Sequence, residues 1–207
     1  MRTLLIESSS GAASGVAESL GAAGHEVVRC HPHAEGAEGG SVLCSGLSED
    51  GCPLDGHGPV DVAISVREPG AGEPRASEAG VTCAIRGGLP VVVVGAGPGH
   101  PFEPWTESAA SADDALDAVD RAVQRAGERR AEPLQREAER VLEAEGADAG
   151  KVQVSVVRDG DAAHVVVRSE REVPETVAGV LATRLHAVDA TGSWPTTKLS
   201  VSLAPFS

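Results

Sequence analysis

Four consecutive valines, Val91 to Val94, stand between Pro90 and Gly95 with no polar residue among them. β-Branched side chains crowd a helix and suit a pleated strand. A run without polar alternation offers no face to water, so it predicts a strand covered on both sides. That is the environment of a central strand in a parallel sheet. Parallel neighbours need crossovers, normally helices, and the chain supplies both patterns in alternation. Residues 2–8 (R-T-L-L-I-E-S), 25–30 (H-E-V-V-R-C) and 60–66 (V-D-V-A-I-S-V) read as strands. A weak fifth strand follows in W-T-E-S-A-A from Trp105. Helices are expected near 15–23, with Val16, Leu20 and Ala23 on one face and Gly24 as the stop, then near 76–86, and near 113–126 with Ser111 as N-cap. The fold class is α/β: a five-stranded parallel doubly wound sheet of order 2-1-3-4-5.

A charged stretch from Gly127 to Arg130 predicts a break after this first unit, residues 1–127. The remainder, 131–207, reads helix-strand-strand-helix-strand, a small α+β domain. Its first helix carries Pro133 near the first turn. V-Q-V-S-V-V-R and A-H-V-V-V-R-S, joined by D-G-D, predict a hairpin. A helix with Val177, Val180, Leu181, Leu185 and Val188 inward follows, then the alternating strand T-K-L-S-V-S-L-A.

The formal charge is −14, and the first 127 residues carry 7 Arg against 18 Asp and Glu. So acidic a surface repels phosphate backbones and anionic lipid, which argues against nucleic acid and membrane partners. Glu7 interrupts the apolar start, and no apolar run reaches the length of a spanning helix. The expectation is a cytoplasmic protein whose four cysteines are thiols or metal ligands before they are disulfides.

On the segments R-T-L-L-I-E-S, V-D-V-A-I-S-V and L-P-V-V-V-V-G and the helix near 113–126, residues 1–126 resemble a CheY-like receiver domain. The resemblance implies an acidic pair after strand one, a phosphate-accepting aspartate after strand three and a lysine after strand five. Only Glu7 matches. Strand three ends in Ser65-Val66, strand four ends in Gly95, and no lysine precedes Lys151. Phosphotransfer on this template is excluded. From V-Q-V-S-V-V-R-D-G to K-L-S-V-S-L, residues 131–204 resemble the small α/β domain of the alkaline-shock-protein family. That implies a scaffold role in stress physiology.

The chemistry-bearing residues cluster in the loop at 30–59. It holds Cys30, His31, His33, Cys44, Cys52 and His57; the remaining cysteine is Cys83. In an open α/β sheet, ligand residues gather beyond the carboxyl ends of the strands. Cys30, Cys44, Cys52 and Cys83 are all expected at that edge, with His31, His33 and His57 as substitute ligands. Four thiolates would suit zinc or an iron–sulfur cluster, although no pair of CxxC knuckles is present. The other reading keeps Cys30 and Cys83 as buried small apolar residues and Cys44 and Cys52 as free or paired thiols, with a redox-sensing loop as one consequence. G-A-G-P-G at 95–99 lacks GxGxxG spacing, and Pro98 removes a donor, so a plain Gly/Pro loop is favoured over a phosphate site. No catalytic set emerges: Ser8, Ser9 and Ser10 read as a turn, and His25, His164 and His186 are isolated. Trp105 and Trp194 read as edge or partner-contacting residues.

Two functional classes carry most weight. One is a non-enzymatic regulatory or scaffold protein, a phosphorylation-incompetent pseudo-receiver that contacts a protein partner or a second copy through its C-terminal domain. The alternative is a metal- or redox-responsive protein using the Cys/His loop. An enzyme binding a nucleotide or flavin at the strand ends is a third class.

Overall fold

The computed structural model describes residues 1–30, 44–47, 51–55, 58–68, 70, 72–159, 162–190 and 198–206. The chain divides into two compact units, Met1–Gln124 and Arg125–Ser207.

The first unit is the expected five-stranded parallel sheet. Its strands are β1 (Arg2–Glu7), β2 (Glu26–Arg29), β3 (Val62–Val66), β4 (Val91–Val94) and β5 (Glu107–Ala109), in the order β2-β1-β3-β4-β5. Register is set by the apolar centres: Leu5 pairs with Ile64, and Ile64 with Val92. Each central strand is apolar on both faces because each face is covered. On one face, Leu5, Ile64, Val66, Val92 and Val94 pack against α1 (Ser14–Ala22) through Val16 and Leu20. The start of α3 (Ala115–Ala144) joins them through Ala118 and Val119. On the other, Leu4, Ile6, Ala63, Val91 and Val93 pack against α2 (Ala79–Arg86) through Val81 and Ala84, with Cys30 and Phe102. Each buried aliphatic side chain contributes about 1.5–3 kcal/mol, so the valine run is a main source of cohesion here. Gly24, at φ +78°, ends α1 as expected.

The second unit contains β6 (Val152–Asp159), β7 (Ala162–Ser169) and β8 (Lys198–Pro205) in the order β6-β7-β8. The first pair is antiparallel and the second parallel. Leu134, Ala138 and Val141 of α3, with Leu181 and Leu185 of α4 (Glu175–Ala190), cover Val154, Val165 and Val167.

Two expectations are corrected. The stretch 127–130 does not interrupt the helix: α3 runs unbroken through it, with Pro133 inside, although the two compact units divide close by, after Gln124. Gly127 has a packing reason instead, since a Cβ there would stand 3.1 Å from the Val156 carbonyl oxygen. Val180 is also not inward; it is 39% exposed, whereas Val177, Leu181 and Leu185 are buried. At 100° per residue, position 180 falls outside the arc those three define. No helix among the described residues is long and apolar enough to cross a membrane.

Candidate functional site

The carboxyl ends of β1, β3 and β4 form the edge where this class of sheet places ligands. Three chain segments meet there: the turn after β1, the Pro/Gly-rich stretch after β3, and the start of α2. The Ser8 amide donates to the Val66 carbonyl (3.0 Å) and the Arg67 amide to the Val94 carbonyl (2.9 Å), so both turns continue the sheet's ladder before departing.

Glu7, Arg67, Glu68, Arg75 and Glu78 at this edge each have an internal partner. Glu7, the sole residue matching the receiver pattern, is buried, ion-paired with Arg29, and accepts a hydrogen bond from the Gly11 amide. Arg67 follows β3 directly and is fully buried. Its Nε donates to Glu78 Oε1 at 2.6 Å, and neither side chain has any exposure. Its Nη2 donates to the carbonyls of Gly72 and Glu73, and its Cζ lies 5.8 Å from the Phe102 ring centroid. Nη1 has no hydrogen-bond partner. The second Glu78 oxygen accepts from the Arg75 amide at 2.8 Å. Arg75 donates in turn to the Ser8 carbonyl and to Glu68 Oε2, and Glu68 also accepts from Ser9 Oγ at 2.6 Å. The Ser9 hydroxyl, and then Arg75, hold the Glu68 carboxyl below its ordinary range. Ser77 Oγ donates to the Ser8 carbonyl.

A guanidinium thus stands immediately beyond the strand that ends with a phosphate acceptor in receivers. Its counter-carboxylate, Glu78, has both oxygens engaged. Glu7 and Glu78 are buried and engaged, the half-exposed Glu68 is ion-paired with Arg75, and no lysine precedes Lys151 in the chain to neutralise a transferred phosphoryl group. The signal was present in R-E-P-G-A-G-E-P-R-A-S-E (67–78), where charges of both signs follow a strand that ends at the binding edge. Arg67, Arg75 and Glu78 stand outside the set of residues expected at this edge from the sequence.

The loop after β4 is occupied in the same manner. Gly95 adopts φ +79°, and a Cβ on it would lie 2.5 Å from the Arg67 carbonyl oxygen. The glycine is there for close backbone approach, not for a phosphate. The Gly99 amide donates to Glu103 Oε2 at 2.8 Å, so the loop binds its own carboxylate. His100 is buried. Its Nδ1 accepts from the Phe102 amide, which leaves Nε2 to donate to Ser108 Oγ at 3.3 Å. Burial lowers its pKa and keeps the ring neutral. Trp105 is 61% exposed in a short 3₁₀ turn, as an edge residue should be.

Cys30 lies within electrostatic reach of Cys44, Cys52 and Cys83. Cys30 leaves β2, its amide bonded to the Leu5 carbonyl, and is buried; Cys44 and Cys52 are half-buried; Cys83 is exposed on α2. None of the four forms a disulfide. Burial, followed by the charges of Cys44, Cys52 and Cys83, pushes the Cys30 thiol up to about 12. Cys52 is raised chiefly by burial, with Asp55, Cys44 and Cys83 adding to it. Four sulfurs from four separate places in the chain therefore sense one another's charge. As they stand, no three His, Cys, Asp or Glu side chains among the described residues are close enough together to hold a metal ion. Cys83, read as either a ligand or a buried apolar residue, is exposed. His31, His33, His57 and Trp194 lie outside the described residues.

Asp61 accepts from the Arg2 amide at 2.8 Å at the amino end of β3, remote from the ligand edge. His164 bonds Ser200 across β7 and β8 and stands apart from any acid–base pair. No protein-family model matches the chain, and no curated protein matches it.

Proposed function

We propose that this is a non-enzymatic regulatory or scaffold protein: a receiver-like unit without phosphotransfer chemistry, coupled to a small α+β unit that makes the protein contacts. The carrying observation is the Arg67–Glu78 pair, fully buried at the sheet edge where a receiver holds its acceptor carboxylate. A guanidinium there supplies no carboxylate on which an acyl phosphate could form. The carboxylates nearby are held by Arg29, Arg67 and Arg75. Activating any of them would require dismantling the network that closes the edge. The acidic charge of the chain fits a protein partner better than a nucleic acid or an anionic membrane. A cytoplasmic location belongs to the same reading, as does self-association as one form of partner contact.

The direct test is incubation of the full chain with acetyl phosphate and Mg²⁺, followed by intact-mass measurement at neutral pH. The expected result is no phosphoryl adduct. A stoichiometric adduct mapping within residues 1–124 would remove the basis of the proposal.

A further inference from the structure

The three-stranded sheet of the second unit has two edges, and α3 covers one of them. At the β6 edge, Gln135 of α3 takes up outward backbone groups. It donates to the Val152 carbonyl at 3.0 Å and accepts from the Val154 amide at 2.6 Å. Gly127 of the same helix stands against the next outward carbonyl, that of Val156. Covering an edge with a helix is one way a fold prevents stray strand pairing. At the β8 edge, no further strand follows among the described residues.

Alternation identifies the backbone groups that β8 turns outward. The Phe206 amide donates to the Ser169 carbonyl of β7. Successive residues of a strand turn their amides to opposite sides, so the even-numbered residues of β8 bond β7. Leu199, Val201 and Leu203 direct both N–H and C=O away from it. Pro205 falls in the same outward set, where its missing N–H takes nothing from the ladder. The odd-numbered residues also share the helix-covered face. Leu199 and Val201 are half-buried there and Leu203 is 37% exposed, whereas Val165 and Val167 of β7 are fully buried.

Two properties of the sequence name the occupant. From Leu199 to Ser207 no residue is charged, in a chain of formal charge −14. Two acidic copies repel over most of their surface and approach at least cost along such a strip. Leu199 to Leu203 also reads the same in both directions, L-S-V-S-L. In a twofold contact, residue i meets j wherever j meets i. An axis through Val201 therefore sets Leu199 opposite Leu203 of the second copy, Ser200 opposite Ser202, and Val201 opposite itself.

We infer that β8 pairs antiparallel with β8 of a second copy of this chain, centred on Val201, joining the two sheets into one. The inference rests on the reading that the second unit makes the protein contacts, and it names the surface and the partner. Leu199, Val201 and Leu203 each exchange two hydrogen bonds with the opposite residue, as their outward groups allow. Their side chains carry the apolar layer across the axis and cover Leu203, while the serines face solvent on the other side.

Sedimentation velocity of the full chain over a range of concentration should show reversible dimerisation. Amide exchange at Leu199, Val201 and Leu203 should slow as concentration rises, while that at Ser200 and Ser202, already bonded to β7, should not change. Charge then tests the register. Ser200 and Ser202 are exposed, so substitutions there leave the core intact. Ser200→Lys with Ser202→Lys sets like charges opposite each other in two pairs and should weaken dimerisation about tenfold. The added lysines lower the overall negative charge, so weaker association would be a local effect. Ser200→Glu with Ser202→Lys sets opposite charges in the same pairs and should restore the dimer. Circular dichroism checks that both variants fold. The inference is overturned if the chain stays monomeric throughout, if the dimer is indifferent to the two lysines, or if the charge-opposed variant associates no better than the doubly lysine one. A monomer would leave the regulatory reading standing, because that reading falls on a phosphoryl adduct instead.

Discussion

Both units carry exposed ion pairs, but the deepest described pair lies deeper in the first unit than in the second. In the first, Arg67 and Glu78 are both fully buried, and their partners are backbone groups and each other. In the second, Arg130 pairs with Asp189 in a bidentate contact with both bonds at 2.6 Å and each side chain 9% exposed. Further out, Glu137 accepts from Arg140 and Arg184, whose side chains are about half exposed. Buried pairs are poor sources of net stability, because desolvating two charges offsets their attraction. They are sensitive to being halved, however, since the survivor is left charged in a dry site. The first unit therefore holds its ligand edge in one conformation by a device that tolerates no partial loss. The second unit uses charge at its rim, where water can substitute for a missing partner.

The largest effect should come from splitting the buried pair. Glu78→Gln removes the counter-charge of Arg67 and should cost about 3–5 kcal/mol, read from urea unfolding followed by circular dichroism. Replacing both members with apolar residues, Arg67→Met with Glu78→Leu, should recover most of that loss. If Glu78→Gln costs less than about 1 kcal/mol, as for an exposed pair, the contrast in depth between the units has no energetic meaning.

The Arg130–Asp189 contact should fall between the extremes. Asp189→Asn keeps the shape and one acceptor but removes the charge from two hydrogen bonds. A loss of about 1.5–3 kcal/mol is expected in the same unfolding measurement. A cost equal to that of Glu78→Gln would show that 9% exposure already behaves as full burial.

The contrast also explains what could be read from the sequence. Val91–Val94 and the apolar centres of β1 and β3 announced a parallel sheet, because burial on both faces leaves a purely local signature. The rule on strand ends, applied once the strands were placed, put Cys30 directly after β2, where its amide bonds the Leu5 carbonyl. Arg67 was missed because its partner lies 11 residues away across a Pro/Gly-rich turn, and an arginine in such a turn reads as solvated. Gly127 and Pro133 were read as punctuation between helices. Their tolerance inside α3 depends on tertiary packing, Gly127 against the Val156 carbonyl, and no local pattern carries that.

Gly95 tests whether the Gly/Pro loop belongs to the closed edge. Gly95→Ala places a Cβ on a residue at φ +79°, 2.5 Å from the Arg67 carbonyl oxygen. Backbone strain alone should cost about 1–3 kcal/mol. The same change at Gly97, where a Cβ would meet nothing within 4 Å, should be close to neutral. Equal responses in thermal unfolding would mean that the Arg67 carbonyl imposes no constraint on the loop.

The smallest effect belongs to the rim of the second unit, and pH gives it a sign. Hydrogen bonds from Arg140, then Arg184, hold the Glu137 carboxyl down at about 2, against an ordinary value of 4.5. A carboxylate with a depressed pKa stabilises the fold fully above its unfolded pKa and loses that contribution as pH falls through the folded one. Glu137→Gln should therefore destabilise by about 0.5–1 kcal/mol at neutral pH, the scale of exposed ion pairs. The gap from the parent protein should close between pH 4.5 and 2. Added salt should shrink it at neutral pH, because both arginines are open to solvent. The Arg67–Glu78 pair, shielded from ions, should show no comparable salt dependence. A Glu137 effect that is large, or that persists unchanged at pH 2, would place this carboxylate with the buried pairs and erase the distinction between the two units.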